Sequence, residues 1–223
     1  AAAWCAARSS RLRLSGLAAR MFVEQVEVLR PASATPALNI LCFTRPALVE
    51  DLRTSFADMP HVRLMGGSRE VLKGIGRAFL AEPVGDNYYV SNDPAVVAAK
   101  SSYRDFLHRV WPQVRDMCDI DMVVASNFAQ WAQRELHTVC EETGTPFVVL
   151  FKESLKPPGL VNFYGWLYEH RRGPFTGRRM LVYNEIERQL QLDRGTTTAD
   201  RIVITGMPRL DRMHAWRRRH AAA

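Results

Sequence analysis

Cysteine is scarce in this chain of 223 residues: four are present, Cys5, Cys42, Cys118 and Cys140, far apart and in apolar or helical contexts. Without a C-x-x-C pair, neither a zinc knuckle nor a disulfide framework is indicated, and a reducing cytoplasm fits best. No stretch approaches the ~20 consecutive apolar residues of a membrane-spanning helix. Walker, G-x-S-x-G and H-E-x-x-H patterns are missing. No G-x-G-x-x-G follows the first expected strand, and Lys73-Gly74-Ile75-Gly76-Arg77 lies inside a helical pattern without a third glycine. Acidic residues are missing from positions 1–20, which hold four arginines and three serines. That composition is shared by transit peptides, linkers and over-extended starts. The segment 1–20 is therefore expected to be a non-core extension, with Met21 a natural start. The Ala-Ala-Ala at either end suggests a fragment.

What is present is an ordinary globular composition, 47% apolar and 24% charged, which argues against disorder, collagen and coiled coil. The formal charge of +7 is unevenly spread. Residues 170–220 hold 12 Lys/Arg against 5 Asp/Glu, so the rest of the chain sums to zero. A basic C-terminal quarter fits an anionic glycan, a membrane surface, an acidic protein partner or a solvated face. Nucleic acid is disfavoured, because no reader motif accompanies the charge.

Short apolar runs alternate with helical patterns. Leu38–Phe43, His61–Met65, Ile120–Ala125, Phe147–Phe151, Met180–Tyr183 and Ile202–Thr205 read as strands, with a short one at Tyr88-Tyr89-Val90. Helices are expected from Pro46, from Ser68 as cap, from Pro94 to about Val114 with Pro112 at its end or kink, and from Phe128 to about Thr143. Further helices are expected over Val161–His170 and from the cap Asn184 to Leu192. The fold class is α/β: an open parallel sheet with helices on both faces. Such sheets bind ligands beyond the carboxyl ends of their strands. That rule selects Thr44-Arg45, Gly66-Gly67-Ser68, Ser126-Asn127, Lys152-Glu153, Asn184-Glu185 and Gly206 to Asp211.

Two of these loops carry candidate chemistry. In Lys152 to Gly159, Glu153 stands beside Lys152 and near Lys156. A carboxylate flanked by ammonium groups stays ionised and can serve as a general base on a hydroxyl, while the lysines can hold phosphate oxygens. The same residues also fit a plain salt-bridge cluster. In Gly206-Met207-Pro208-Arg209-Leu210-Asp211, the glycine permits positive φ or close approach and Pro208 fixes the turn. Arg209 either pairs with Asp211 to hold that turn or faces a cleft and binds an anion. The six histidines are scattered; His61, His108 and His137 read as structural or exposed.

The stretch from Leu181-Val182-Tyr183-Asn184-Glu185 through Arg201-Ile202-Val203-Ile204-Thr205-Gly206-Met207-Pro208-Arg209-Leu210-Asp211 resembles the end of the N-terminal, Rossmann-like domain of GT-B-type surface-polysaccharide transferases. The CDP-glycerol glycerophosphotransferases are the most similar in pattern. The resemblance is specific from the strand at Met180 onward and merely compatible before it. It implies an acceptor-side domain over residues 21–211. Residues 212–223 would then be a basic tail or linker toward a second domain that holds the nucleotide-activated sugar or CDP-polyol donor. It also implies a glycan or lipid-linked acceptor and a place in the cytoplasm, at the inner face of the membrane. No cofactor or metal is implied. The family's His-Gly pair after the strand at Phe147–Phe151 is replaced here by Lys152-Glu153, while Lys156 and Gly159 match. Glu153 thus becomes the candidate catalytic base, with Lys152, Lys156, Arg209, Asp211 and Gly206 as candidate substrate-binding residues. A non-catalytic binding module using its basic face is the alternative.

Overall fold

The computed structural model describes residues 14–220 except 36, 44–45, 81–84, 86–88, 152–154 and 172. The elements run α1 (Ser15–Val23), β1 (Glu27–Arg30), β2 (Leu38–Phe43), α2 (Pro46–Ser55), β3 (Val62–Gly67) and α3 (Arg69–Gly76). Next come α4 (Pro94–Cys118), β4 (Met122–Ala125), α5 (Trp131–Glu142), β5 (Phe147–Leu150), a 3-10 turn (Pro158–Leu160) and α6 (Val161–Arg171). The chain ends with β6 (Arg179–Val182), α7 (Glu185–Asp193), β7 (Ile202–Ile204), a second 3-10 turn (Pro208–Leu210) and α8 (Asp211–His220).

The strands form one seven-stranded sheet in the order β1-β3-β2-β4-β5-β6-β7. From β3 to β7 all neighbours are parallel, with Phe43 beside Gly67, Cys42 beside Val124, and Leu181 beside both Leu150 and Val203. Among the described strands only β1 runs antiparallel, on the edge against β3. The sheet therefore reverses its winding between β2 and β4. Right-handed crossovers place connections that step in opposite directions on opposite faces, and the core divides accordingly. On one face Leu41, Phe43, Val123, Phe147, Val149 and Met180 pack under α1 and α3–α7. On the other, Ile40, Cys42, Leu64, Val124 and Leu150 pack with Leu48 and Leu52 of α2. Val203 and Ile204 at the far edge stay exposed.

Sequence rules account for the main boundaries. Ser68 caps α3 by accepting from the Val71 amide, and Asp93 caps α4 by accepting from the Ala95 amide at 2.8 Å. Asn184 Oδ1 caps α7 by accepting from the Glu187 amide at 2.9 Å. Gly144 follows α5 with φ of +80°.

Several expectations need correction. Tyr89 is helical and Val90 lies in a turn, so neither belongs to a strand; Tyr88 lies outside the described residues. Helix α4 continues through Pro112 to Cys118. An interior proline removes one helical hydrogen bond, and burial of Val110, Trp111 and Val114 around it holds the helix together. Helix α5 starts at Trp131 rather than Phe128, because Asn127 Oδ1 accepts from the Ala129 amide and closes a local turn first. The non-core extension expected over 1–20 does not reach residue 20. Residues 1–13 lie outside the described part, whereas α1 buries Ala18, Ala19 and Phe22 in the larger core. The basic tail forms a helix, α8, with Met213 and Trp216 exposed.

Candidate functional site

The reversal between β2 and β4 sets the carboxyl rim where a doubly wound sheet receives ligands. Thr44 and Arg45, after β2, lie outside the described residues, as do Lys152 and Glu153 after β5. Arg209 lies in the turn Pro208–Leu210 and its side chain is likewise outside them, so the expected meeting of Glu153 with Arg209 is not described. Gly206 has φ of +75°, and a Cβ there would meet nothing within 4 Å. Its conformation is thus the left-handed one that favours glycine, and among the described residues the space beside it is open. The turn closes when the Leu210 amide donates to the Met207 carbonyl at 2.9 Å. Met207 packs with the α2-side core, so the chain leaving β7 folds back toward α2. Asp211 starts α8 and is exposed, a placement favoured by the partial positive charge of a helix N-terminus.

Lys156 is described, and its ammonium is buried rather than open at the rim. Its side chain is 1% exposed, and its ammonium stands 3.4 Å from Oε2 of Glu187, which is 0% exposed. Three rings surround the ammonium: Tyr164 at 4.3 Å, Tyr168 at 5.6 Å and Phe151 at 5.7 Å. Glu187 Oε1 accepts from the Tyr168 hydroxyl at 2.8 Å and from Gln191 Nε2 at 2.7 Å. A buried ion pair needs such extra hydrogen bonds to offset its desolvation. Lys156 therefore ties the loop after β5 to α6 and α7, and its charge is directed into the helical layer.

A cleft that sequence reasoning missed lies between α4, α5 and the segment leading into β6. It encloses about 800 Å³, and Tyr89, Lys100, Arg104, Arg134, Glu135 and His137 dominate its lining. Glu135 is its buried hub: it accepts from the Tyr89 hydroxyl in a short hydrogen bond and from Arg104 Nε at 2.5 Å. Burial raises the Tyr89 phenol far above its usual range, and the charge of Glu135 adds to the rise. The hydrogen bond to Glu135 holds the Arg104 guanidinium more firmly protonated. His137 Nδ1 lies 2.7 Å from the Thr176 hydroxyl, which also lies 2.7 Å from that of Thr138. Burial pushes the His137 imidazole down to about 3, with the charges of Arg134 and Arg104 acting in the same direction. It is a neutral ring packed among Phe128, Phe147 and Phe175. The sequence signal for this cleft was the i,i+4 pair Lys100 and Arg104, since Arg134, Glu135 and Glu169 come from α5 and α6.

A third feature adjoins the carboxyl rim. Leu155, Leu160, Phe163 and Trp166 are exposed, the last two by 53% and 46%. Leu160, Phe163 and Trp166 lie on α6 and its entry turn, where the rings of Phe163 and Trp166 stack, while Tyr164 and Tyr168 face the core. Among the described residues, no helix is long and apolar enough to cross a membrane. Nor, among them, does any group of three or more His, Cys, Asp or Glu side chains stand ready to hold a metal ion.

Fold and site together define a doubly wound α/β domain with a lateral cleft lined by charged side chains. No family model, curated protein or solved structure matches the chain.

Proposed function

We propose that this domain is the acceptor-side half of a GT-B-like transferase, moving a sugar or a polyol phosphate from a nucleotide donor to a cell-surface polysaccharide precursor. The observation that carries the reading is the path of the chain after β7. It passes through the positive-φ Gly206 and the turn Pro208–Leu210, packs Met207 with the α2-side core and continues into the exposed basic helix α8. This is the segment whose sequence carries the resemblance to GT-B transferases, and it borders the rim on which parallel strands deliver their loops.

In this reading Glu153 takes the proton of the acceptor hydroxyl. The acceptor oxygen bonds to the anomeric carbon of a sugar donor, or to the polyol-bearing phosphorus of a CDP-polyol. The bond to the leaving oxygen breaks, and its electron pair departs with the nucleoside diphosphate or with CMP respectively. Lys152 and Arg209 neutralise the phosphate oxygens; Gly206 and Asp211 shape the turn that presents Arg209. Lys156 acts indirectly, by holding the loop that carries Lys152 and Glu153. The exposed rings of Phe163 and Trp166 on α6 support a lipid-linked acceptor and peripheral contact with the inner face of the membrane from the cytoplasm.

A second reading, a binding module for anionic glycans, lipid or acidic protein, is favoured by the basic α8. Nucleotide release separates the two. The chain, carried on through any sequence its gene encodes beyond residue 223, is assayed with panels of sugar nucleotides and CDP-polyols. Acceptor-dependent release supports the transferase; a folded protein silent across both panels supports the module.

A further inference from the structure

We infer that α8 docks on the surface of an anionic phospholipid bilayer, lying along it without crossing. The helix follows the turn Pro208–Leu210, which is its main neighbour in the fold. Among its described side chains only Ala215 is partly buried and the rest are exposed. The large apolar residues are no exception: Met213 is 55% and Trp216 57% exposed. At 3.6 residues per turn, Met213, Trp216 and His220 fall on one face, and the rings of Trp216 and His220 stack with centres 4.6 Å apart. Arg217 and Arg219 fall on the two flanks of that face and Arg218 on the opposite side. Ala215 falls away from the apolar stripe, so the domain packs on a different side of the helix. Arg219 Nε donates to the Ala215 carbonyl at 3.3 Å, and among the described residues no carboxylate pairs with Arg217, Arg218 or Arg219.

Charge and shape select this occupant. The last turn gathers three consecutive arginines, and the acid of the helix, Asp211, stands at its other end. Arginines beside an anionic leaflet are drawn to its headgroups. Their long stems lie on apolar surface while the guanidinium reaches water and phosphate. Tryptophan settles at the same level, with its apolar body inward and its N–H toward water. A stripe of Met213 and Trp216 between Arg217 and Arg219 therefore has a place for each group at a lipid surface. A nucleic-acid strand is held in a groove that tracks its backbone, whereas an exposed helix is convex. An acidic protein would answer the arginines but would also have to supply an apolar pocket; a bilayer supplies both everywhere. The helix has ten residues, about 15 Å of length, so the contact is a reversible one. The inference concerns the end of the chain, and it requires neither transfer at the rim nor the acceptor contact proposed for α6.

The test is co-sedimentation of the chain with vesicles of equal parts phosphatidylglycerol and phosphatidylcholine, and with vesicles of phosphatidylcholine alone. Binding is expected to the anionic vesicles and should fall as salt is raised. Each arginine near such a surface contributes a factor of about five, so Arg217→Gln combined with Arg219→Gln should weaken binding about tenfold or more. Trp216→Ala should weaken it about tenfold through lost apolar contact. Arg218→Gln should bind within about twofold of the wild type. A helix with its side chains is about 10–12 Å across, and charge is screened over about 8 Å at physiological ionic strength. Phe163→Ala, on α6, should bind as the wild type does. Melting temperature reports folding; these side chains are exposed, and should one variant unfold, the others decide. No preference for the anionic vesicles overturns the inference. So does equal binding by the double arginine variant and Arg218→Gln, or a loss in Phe163→Ala with none in Trp216→Ala. Capture of polyglutamate without binding to vesicles would make α8 a contact for an acidic protein and overturns it as well. Nucleotide release tests the transferase separately from all of these results.

Discussion

Lys156 and Glu187 form an ion pair at 3.4 Å with both side chains sealed from solvent, and they join the loop after β5 to the helix after β6. Removing one member of a buried pair strands the other charge, which typically costs about 3–5 kcal/mol. Lys156→Met should therefore lower unfolding free energy by that order in urea titration. The double variant Lys156→Met with Glu187→Leu should recover much of the loss, because well-packed apolar side chains often replace a buried pair at little cost. A single variant as stable as the wild type would show that the pair does not clamp the loop.

His137 makes stability depend on pH in a defined window. Folding holds its imidazole down to about 3, below the ordinary 6.5. The unfolded chain thus takes up a proton near pH 6.5 that the folded chain refuses until near pH 3. The stabilisation is complete above about pH 6.5 and drains away as pH falls toward 3, by at most ~1.4 kcal/mol per pH unit. Urea unfolding at pH 7 and pH 5 should show the wild type losing on the order of 2 kcal/mol more than His137→Gln. Parallel losses in the two proteins would assign the acid sensitivity to other groups.

Gly206→Ala tests the turn by backbone alone. Its φ of +75° strains any L side chain, while no atom of the described residues stands within 4 Å to clash with the new methyl. A loss of roughly 1–2 kcal/mol is expected, and Gly206→Asn should cost less, since asparagine tolerates this region better. Equal stability of all three proteins would mean that the turn relaxes to another conformation.

How far the sequence revealed this molecule differs from element to element. Strands β2 and β5 were legible because both faces of a central parallel strand are buried and read as continuous apolar runs. Asn184 and Ser68 were legible because capping is local chemistry. Strand β1 was missed: it is four residues long, lies on the edge and is half exposed, so it lacks that apolar signature. The end of α4 was misjudged at Pro112, where the packing of Trp111 and Val114 overrides the local preference of proline. Lys156 illustrates the limit at the site. Its position after a buried strand suggested an anion contact, but its direction is decided by Glu187, 31 residues later, and by the rings of Phe151, Tyr164 and Tyr168, which only the folded chain gathers around it. The cleft was invisible for the same reason: Arg104 and Glu135 become neighbours only when α4 packs on α5.

The central claim is transfer at the carboxyl rim, and the release of nucleotide by Glu153→Gln against the wild type tests it most directly. Both proteins, carried on through any downstream coding sequence, are given the productive donor and acceptor, with melting temperature recorded alongside. Loss of a general base typically costs 10²–10⁴-fold. A fall of about that size with melting unchanged is the predicted result. Release at the wild-type rate by folded Glu153→Gln, or no release by the wild type from any sugar nucleotide or CDP-polyol, would contradict the account.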